Sequence, residues 1–284
     1  MTRLIDSLSD IASGYDALYC DLWGCYHDGV TPYPAAVSAL RAFRAAGGTV
    51  ILLTNAPRPG EAVARHLAAM GAPSDSWDAI VSSGDAARAA VAAGGFGRRV
   101  EHVGPARDLS FFDGLDVERV SRAQAESVIC TGLFDDETET PADYVEAIDA
   151  WARRGLRMLC ANPDIIVDRG HQRLYCAGAI AEAYADAGGE VVYCGKPHRP
   201  IYALAQRRLE ETRGPGPHRV LALGDGVGTD VAGGRALGVD TLFLTGGIAA
   251  ADFAPDPDRP TPERLEAWLD KAPARPTYAM GRLR

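Results

Sequence analysis

The chain has 284 residues, 47% of them hydrophobic and 24% charged, with a formal net charge of −9. This is the composition of a soluble globular chain long enough for about two domains, and its acidic excess disfavours a non-specific grip on nucleic acid or anionic membrane. No apolar run approaches the roughly 18 residues of a membrane span, and the N-terminal stretch, with Asp and Ser among its apolar positions, lacks a secretion signal's uninterrupted core.

In chain order, Ala17-Leu18-Tyr19-Cys20 reads as a short apolar strand stopped by Asp21 and a turn-prone stretch through Gly29. A helix opens at Pro34, shows Val37, Leu40 and Phe43 on one face, and ends at Gly47-Gly48. Thr49 to Leu53 is a continuous apolar strand that stops at Thr54-Asn55-Ala56-Pro57. Runs without polar alternation suit a parallel sheet covered on both faces. The middle adds strand-like 79–82, 100–103, 127–130 and 157–160. The last third repeats the first: a strand at 191–194, a helix from about Pro200, a strand at 220–223, a helix at 231–237 and a strand at 241–244. Alternating strands and helices predict βαβ units and an α/β fold with a Rossmann-like, doubly wound parallel sheet. We expect a core domain from residues 1–71 and 182–284, interrupted by an inserted α/β domain at 72–181.

Six cysteines are scattered singly with no CxxC pair, which disfavours a zinc knuckle or disulfide framework and fits a reducing cytoplasm. Among the 29 basic residues only Lys196 and Lys271 are lysines.

Ligands of doubly wound sheets bind beyond the carboxyl ends of the strands. The residues there are Asp21, Thr54-Asn55, Lys196, and Asp225 with Asp230. Carboxylates are hard ligands suited to Mg²⁺, Thr54 offers a hydroxyl to a phosphate oxygen, and Lys196 offers a compact point charge. Phosphoryl transfer needs a nucleophile, charge neutralisation and positioning, and little else. Each residue also has a plainer reading: an Asp after a strand caps turns, a Thr caps helices, and a lone Lys is solvated. The Gly-rich stretch ending at Lys196 has the wrong spacing for a P-loop, with Pro197 where Ser or Thr should stand. Gly224-Asp225-Gly226-Val227-Gly228 is not GxGxxG. The acidic run 134–139 reads as a solvated loop rather than a metal site.

Asp21-Leu22-Trp23-Gly24, Leu52-Leu53-Thr54-Asn55, Gly195-Lys196-Pro197 and Gly224-Asp225-Gly226-Val227-Gly228-Thr229-Asp230 resemble, in order, the four motifs of the haloacid dehalogenase (HAD) superfamily. Asn162-Pro163-Asp164, ahead of the lysine motif, looks like the class IIA branch of p-nitrophenyl and sugar-phosphate phosphatases, whose inserted domain is a cap. The resemblance implies an Mg²⁺-dependent phosphatase acting on a small phosphorylated metabolite. It assigns Asp21 as the nucleophile that becomes an aspartyl-phosphate. Thr54, Asn55 and Lys196 would bind phosphate, with Lys196 also orienting the nucleophile. Asp21, Asp225 and the backbone carbonyl of Trp23 would hold the metal, and Asp230 would support them. By analogy with relatives that pair through the cap, a homodimer is left open.

One position departs from the pattern. Such phosphatases carry Asp-x-Asp, whose second Asp protonates the leaving oxygen; here it is Trp23. General acid–base catalysis contributes about 10²–10⁴-fold, or roughly 3–5 kcal/mol of barrier. His27 and Asp28 are the nearest substitutes, with His198 behind them. The competing expectation is a catalytically impaired relative that binds a phosphorylated ligand without efficient turnover; altered chemistry on the same nucleophile is a third.

Overall fold

The computed structural model describes residues 2–169 and 172–284 and divides into two compact units. One comprises Met1–Thr54, Ala64–Val81 and Tyr202–Arg284; the other comprises Asn55–Val63 and Ser82–Ile201. In chain order the strands are β1 (Arg3–Leu4), β2 (Ala17–Asp21), β3 (Thr49–Thr54), β4 (Ala79–Ser82), β5 (Arg99–Val103), β6 (Glu118–Arg119) and β7 (Ser127–Cys130). They continue with β8 (Arg157–Cys160), β9 (Ile166–Arg169), β10 (Gln172–Tyr175), β11 (Val191–Tyr193), β12 (Val220–Gly224), β13 (Asp240–Leu244) and β14 (Tyr278–Met280). The α-helices are α1 (Pro34–Ala45), α2 (Gly60–Ala69), α3 (Ser83–Ala92), α4 (Val145–Arg154), α5 (Ala177–Asp186), α6 (Arg199–Arg213), α7 (Ala232–Leu237) and α8 (Pro262–Leu269).

Seven strands form one sheet in the order β1-β14-β13-β12-β2-β3-β4. β12 pairs in parallel with both β2 and β13, and β2 pairs in parallel with β3. Every residue of β2, β3 and β12 is buried, as their unbroken apolar runs require of strands covered on both faces. α1 starts with Pro34 at its first turn, where a missing N–H costs nothing, and buries Ala36, Val37, Leu40 and Phe43. It ends because Gly47 turns left-handed at φ +91°, and because Gly48 lies under the Phe43 ring, where a Cβ would come within 2.2 Å of it.

The second unit holds a five-stranded sheet, β11-β8-β7-β5-β6, parallel throughout, and a β9-β10 hairpin. α3 opens on a capping box: Ser82 Oγ accepts from Asp85 N at 2.9 Å, and Asp85 Oδ2 accepts from Ser82 N at 3.2 Å. Val128, Ile148, Trp151, Met158, Ile180 and Tyr184 fill its core, with the Trp151 and Tyr184 rings edge to face at 5.8 Å.

Two boundaries differ from the expectation. β4 joins the seven-stranded sheet, although residues 72–181 were assigned to the insertion, and β11 pairs with β8, although 182–284 were assigned to the core. Pairing partners are chosen across the chain, and a four-residue apolar run carries no mark of the sheet it will join. Gly71-Ala72-Pro73 is therefore a turn leading into β4 rather than a domain border. Among the described residues no helix is long and apolar enough to cross a membrane.

Trp151 gives the second unit its most exacting buried contact. Its Nε1 donates to Glu101 Oε2 at 2.6 Å, and Arg122 Nε donates to the other oxygen at 3.0 Å. Trp151→Phe retains an aromatic ring but leaves a buried carboxylate oxygen short of a donor. Denaturant titration should show a loss of about 1–3 kcal/mol.

Candidate active site

The carboxyl ends of β2, β12 and β13 open along one edge of the first unit's sheet because these strands are parallel neighbours. Register pairs Leu223 with Cys20, so Asp21, the last residue of β2, falls beside the Gly224-Asp225 end of β12. Asp21 is 7% exposed and Asp225 is half-buried. One oxygen of each carboxylate and the Cys25 sulfur all lie within 4.8 Å of one another. Cys25 is fully buried, its Sγ 3.7 Å from Asp21 Oδ2; burial first, then the neighbouring carboxylates, push its thiol pKa well up.

Glycines make this convergence fit. A Cβ on Gly24 would lie 2.0 Å from Asp225 Oδ2, and one on Gly247 would lie 2.1 Å from the same atom. Gly24 also has φ +74°, a left-handed conformation costly for other residues. Ile248 N donates to Asp225 Oδ2 at 2.8 Å. Asp230, also buried, accepts from Gly226 N at 3.3 Å and Thr229 Oγ1 at 3.1 Å, and it packs where a Cβ on Gly224 would stand. It therefore shapes the turn that presents Asp225. Two carboxylates converging in a cradle that no side chain could share form a donor set for a small hard cation such as Mg²⁺, which takes oxygen ligands and keeps waters. The Trp23 carbonyl belongs to the same turn, immediately ahead of Gly24.

The loop after β2 gives the suggested acid–base substitutes other occupations. His27 is buried, and its Nδ1 accepts from Gly29 N at 2.9 Å. Burial lowers its pKa to about 4, so its ring is neutral at pH 7. Trp23, half-buried, meets the His27 ring edge to face at 5.3 Å, and a Cβ on Gly29 would strike the indole at 2.7 Å. Asp28 is exposed, and its Oδ1 accepts from Val30 N at 2.8 Å and Thr31 N at 2.7 Å. His198 stacks on Tyr193 at 4.8 Å. The acidic run 134–139 is tied up locally: Asp135 caps its own turn and Glu139 accepts from the Tyr144 hydroxyl at 2.6 Å.

Thr54 ends β3 in the first unit and is buried. Asn55 and Lys196 come together in the second unit, in a way the sequence did not show. Asn55 Oδ1 accepts from Lys196 N at 2.7 Å; its Nδ2 donates to Lys196 O at 3.2 Å and to Asp164 Oδ1 at 2.8 Å. Both Nδ2 hydrogens are thereby used, so the Asn55 side chain clasps the Lys196 loop rather than offering itself to phosphate. Gly195 is required beside it, since a Cβ there would lie 2.4 Å from Asn55 Oδ1. Asp164 thus gains a role that its place in Asn162-Pro163-Asp164 hinted at only by resemblance. Lys196 itself is 3% exposed, a deeply held ammonium rather than a solvated one.

Residues 18–118 match the model of the haloacid dehalogenase-like hydrolases, and residues 193–281 match that of the HAD-hydrolase-like proteins. A solved hydrolase of the haloacid dehalogenase-like family from Brucella suis 1330 is 42% identical, with a TM-score of 0.88, over 99% of this chain and 100% of that one. The chain belongs to the haloacid dehalogenase-like family. A D-glycerol 3-phosphate phosphatase from Mycobacterium tuberculosis is 26% identical over 86% of this chain and 67% of that protein. A solved glycerol phosphate phosphatase from that organism, in complex with magnesium, is 26% identical over 99% of this chain and 78% of that one, with a TM-score of 0.70. Structural neighbours also include p-nitrophenyl phosphatases from Archaeoglobus fulgidus and Thermotoga maritima at 23% and 20% identity, a likeness of fold.

Two outcomes test this reading of the HAD-like site. Gly247→Ala, whose backbone needs no positive φ, should leave the fold intact yet displace Asp225; calorimetric titration should show affinity for Mg²⁺ falling by about 10–100-fold. Asn55→Ala removes two hydrogen bonds to the Lys196 backbone and one to Asp164. Hydrogen exchange at the Lys196 amide should quicken, and denaturant titration should show a loss of about 1–3 kcal/mol.

Proposed function

We propose that this HAD-like protein hydrolyses a small phosphate monoester of a phosphorylated metabolite through an aspartyl-phosphate on Asp21. The observation that carries this reading is the buried Asp21 carboxylate held against Asp225 in a glycine cradle at the strand ends. The named activities of the Mycobacterium tuberculosis relatives support the reaction class, and the magnesium in one of those structures supports the metal.

In this reading an Asp21 oxygen attacks phosphorus, the bond to the ester oxygen breaks, and the alkoxide or phenolate leaves. Water then cleaves the acyl-phosphate, releasing inorganic phosphate and restoring the carboxylate. Thr54 donates its hydroxyl to a phosphoryl oxygen. Lys196 supplies a point charge against the transferring group, and the Asn55 clasp fixes the backbone from which it extends. Asp21, Asp225 and the Trp23 carbonyl would hold Mg²⁺, which would supply positive charge against the phosphoryl group. Six buried cysteine thiols support a reducing, cytoplasmic setting.

Trp23 favours a second reading, a protein that binds phosphorylated ligands and turns over poorly those that need protonation on leaving. Indole donates no proton at neutral pH, and a neutral His27 with Nδ1 accepting from Gly29 is a poor replacement. The two readings separate by leaving group. p-Nitrophenyl phosphate releases a stable phenolate and should be hydrolysed with Mg²⁺ present, whereas glycerol 3-phosphate should turn over about 10²–10⁴-fold more slowly. Asp21→Asn should abolish both reactions. Undiminished phosphate release in that variant would overturn the nucleophile, and no wild-type release from either ester would leave the binding protein.

A further inference from the structure

Cys25 is the one member of the strand-end cluster that the proposed reaction does not use. Its sulfur and one oxygen each from Asp21 and Asp225 lie mutually within 4.8 Å, and the sulfur stands 3.7 Å from Asp21 Oδ2. Tetrahedral zinc sites have metal–sulfur bonds of about 2.3 Å and metal–carboxylate bonds of about 2.1 Å, which places sulfur and oxygen about 3.6 Å apart. The observed separation, spanned here by a thiol-to-carboxylate hydrogen bond, is close to that of two ligands on one ion. We propose that Asp21, Cys25 and Asp225 bind a thiophilic divalent cation such as Zn²⁺ or Cd²⁺, with the Cys25 sulfur in its coordination shell.

Three features of the chain argue for this beyond the spacing. The donors are held before any ion arrives: Gly24 turns at φ +74°, Tyr26 N donates to Leu22 O at 2.8 Å, and Cys25 N donates to the same carbonyl at 3.4 Å. Asp225 is held too: Ile248 N donates to its Oδ2 at 2.8 Å, in a slot that Gly24 and Gly247 leave without side chains. The donor chemistry also discriminates between ions. Mg²⁺ takes oxygen ligands in an octahedron and gains nothing from a thiol, whereas thiolate selects softer ions. Binding displaces one proton from the Cys25 thiol to solvent and forms a metal–sulfur bond, with no change of oxidation state. The shared carboxylates make the two kinds of ion exclusive. That competition rests on the proposed Mg²⁺ site; occupancy by the thiophilic ion does not.

The test needs no turnover. Protein stripped with a chelator is titrated with Cd²⁺ and, separately, with Co²⁺, while a thiolate-to-metal charge-transfer band is followed in the ultraviolet. Wild type should develop the band to one equivalent. Cys25→Val, which keeps an apolar side chain of similar size, should lose it, with cation affinity falling by about 10–100-fold. Cys25→Ser, which retains a small polar side chain without sulfur, should also lose the band; circular dichroism confirms that both variants are folded. Millimolar Mg²⁺ should suppress the wild-type band. A band that survives in folded Cys25→Val, or its absence from wild type, would overturn the assignment. A Cys25-dependent band that Mg²⁺ leaves untouched would overturn the shared site alone. A protein inactive on every phosphate ester but showing the band would refute the phosphatase reading and leave this inference standing.

Discussion

Two carboxylates held close together are the constraint around which the first unit is arranged. Asp21 and Asp225 bring oxygens within 4.8 Å of each other, and like charges at that distance repel by about 3 kcal/mol at the effective dielectric of a partly buried site. Converging carboxylates of this kind favour a cation between them, which makes the pair a candidate functional site. The sheet supplies the rigidity. Parallel pairing of β12 with β2 fixes the two carboxyl ends side by side, and the buried apolar strands behind them allow no retreat.

In each unit the candidate residues are held by backbone as much as by side chains. Gly24 and Gly247 bracket the Asp225 carboxylate, Gly224 makes room for Asp230, and Ile248 N donates to Asp225. In the second unit Gly195 lets the Lys196 loop lie against Asn55, which holds it through both its N–H and its C=O. Glycine does the same thing at each place, giving up its own side chain so that a neighbour's functional group can approach the main chain. The consequence is that the chemistry depends on several residues with no chemistry of their own.

This division explains what the sequence made legible. Strand-end residues could be found because a strand that stops is a local event: Asp21, Thr54 and Asp225 each follow an unbroken apolar run, and all three lie where that pattern placed them. Sheet membership is not local, and β4 and β11 went to the sheets that their own four or three residues could not name. Asn55 was legible as a residue of interest but not in its role, since its partners lie 109 and 141 positions along the chain. Cys25 stood out only as one of six scattered cysteines, although its spacing of four from Asp21 through a turn containing Gly24 was the available sign that its sulfur could face back toward the carboxylate.

The loop following β2 shows why the replacement at Trp23 is more than a single exchanged side chain. The indole packs on the edge of His27, His27 accepts the Gly29 amide, and Gly29 has no room for a Cβ because the indole stands there. Asp28 closes the turn through Val30 and Thr31, and Tyr26 below it bonds Ser76 at 2.8 Å and meets the Trp77 ring edge to face. The His27 edge contact and the side-chain-free space at Gly29 both depend on a large flat ring at position 23. A carboxylate there would leave a void against His27 and place a charge beside a ring that burial keeps neutral. Trp23, His27 and Gly29 therefore form one packed unit. In the proposed reaction this ties the leaving-group preference to the packing of Trp23, His27 and Gly29 together rather than to one side chain.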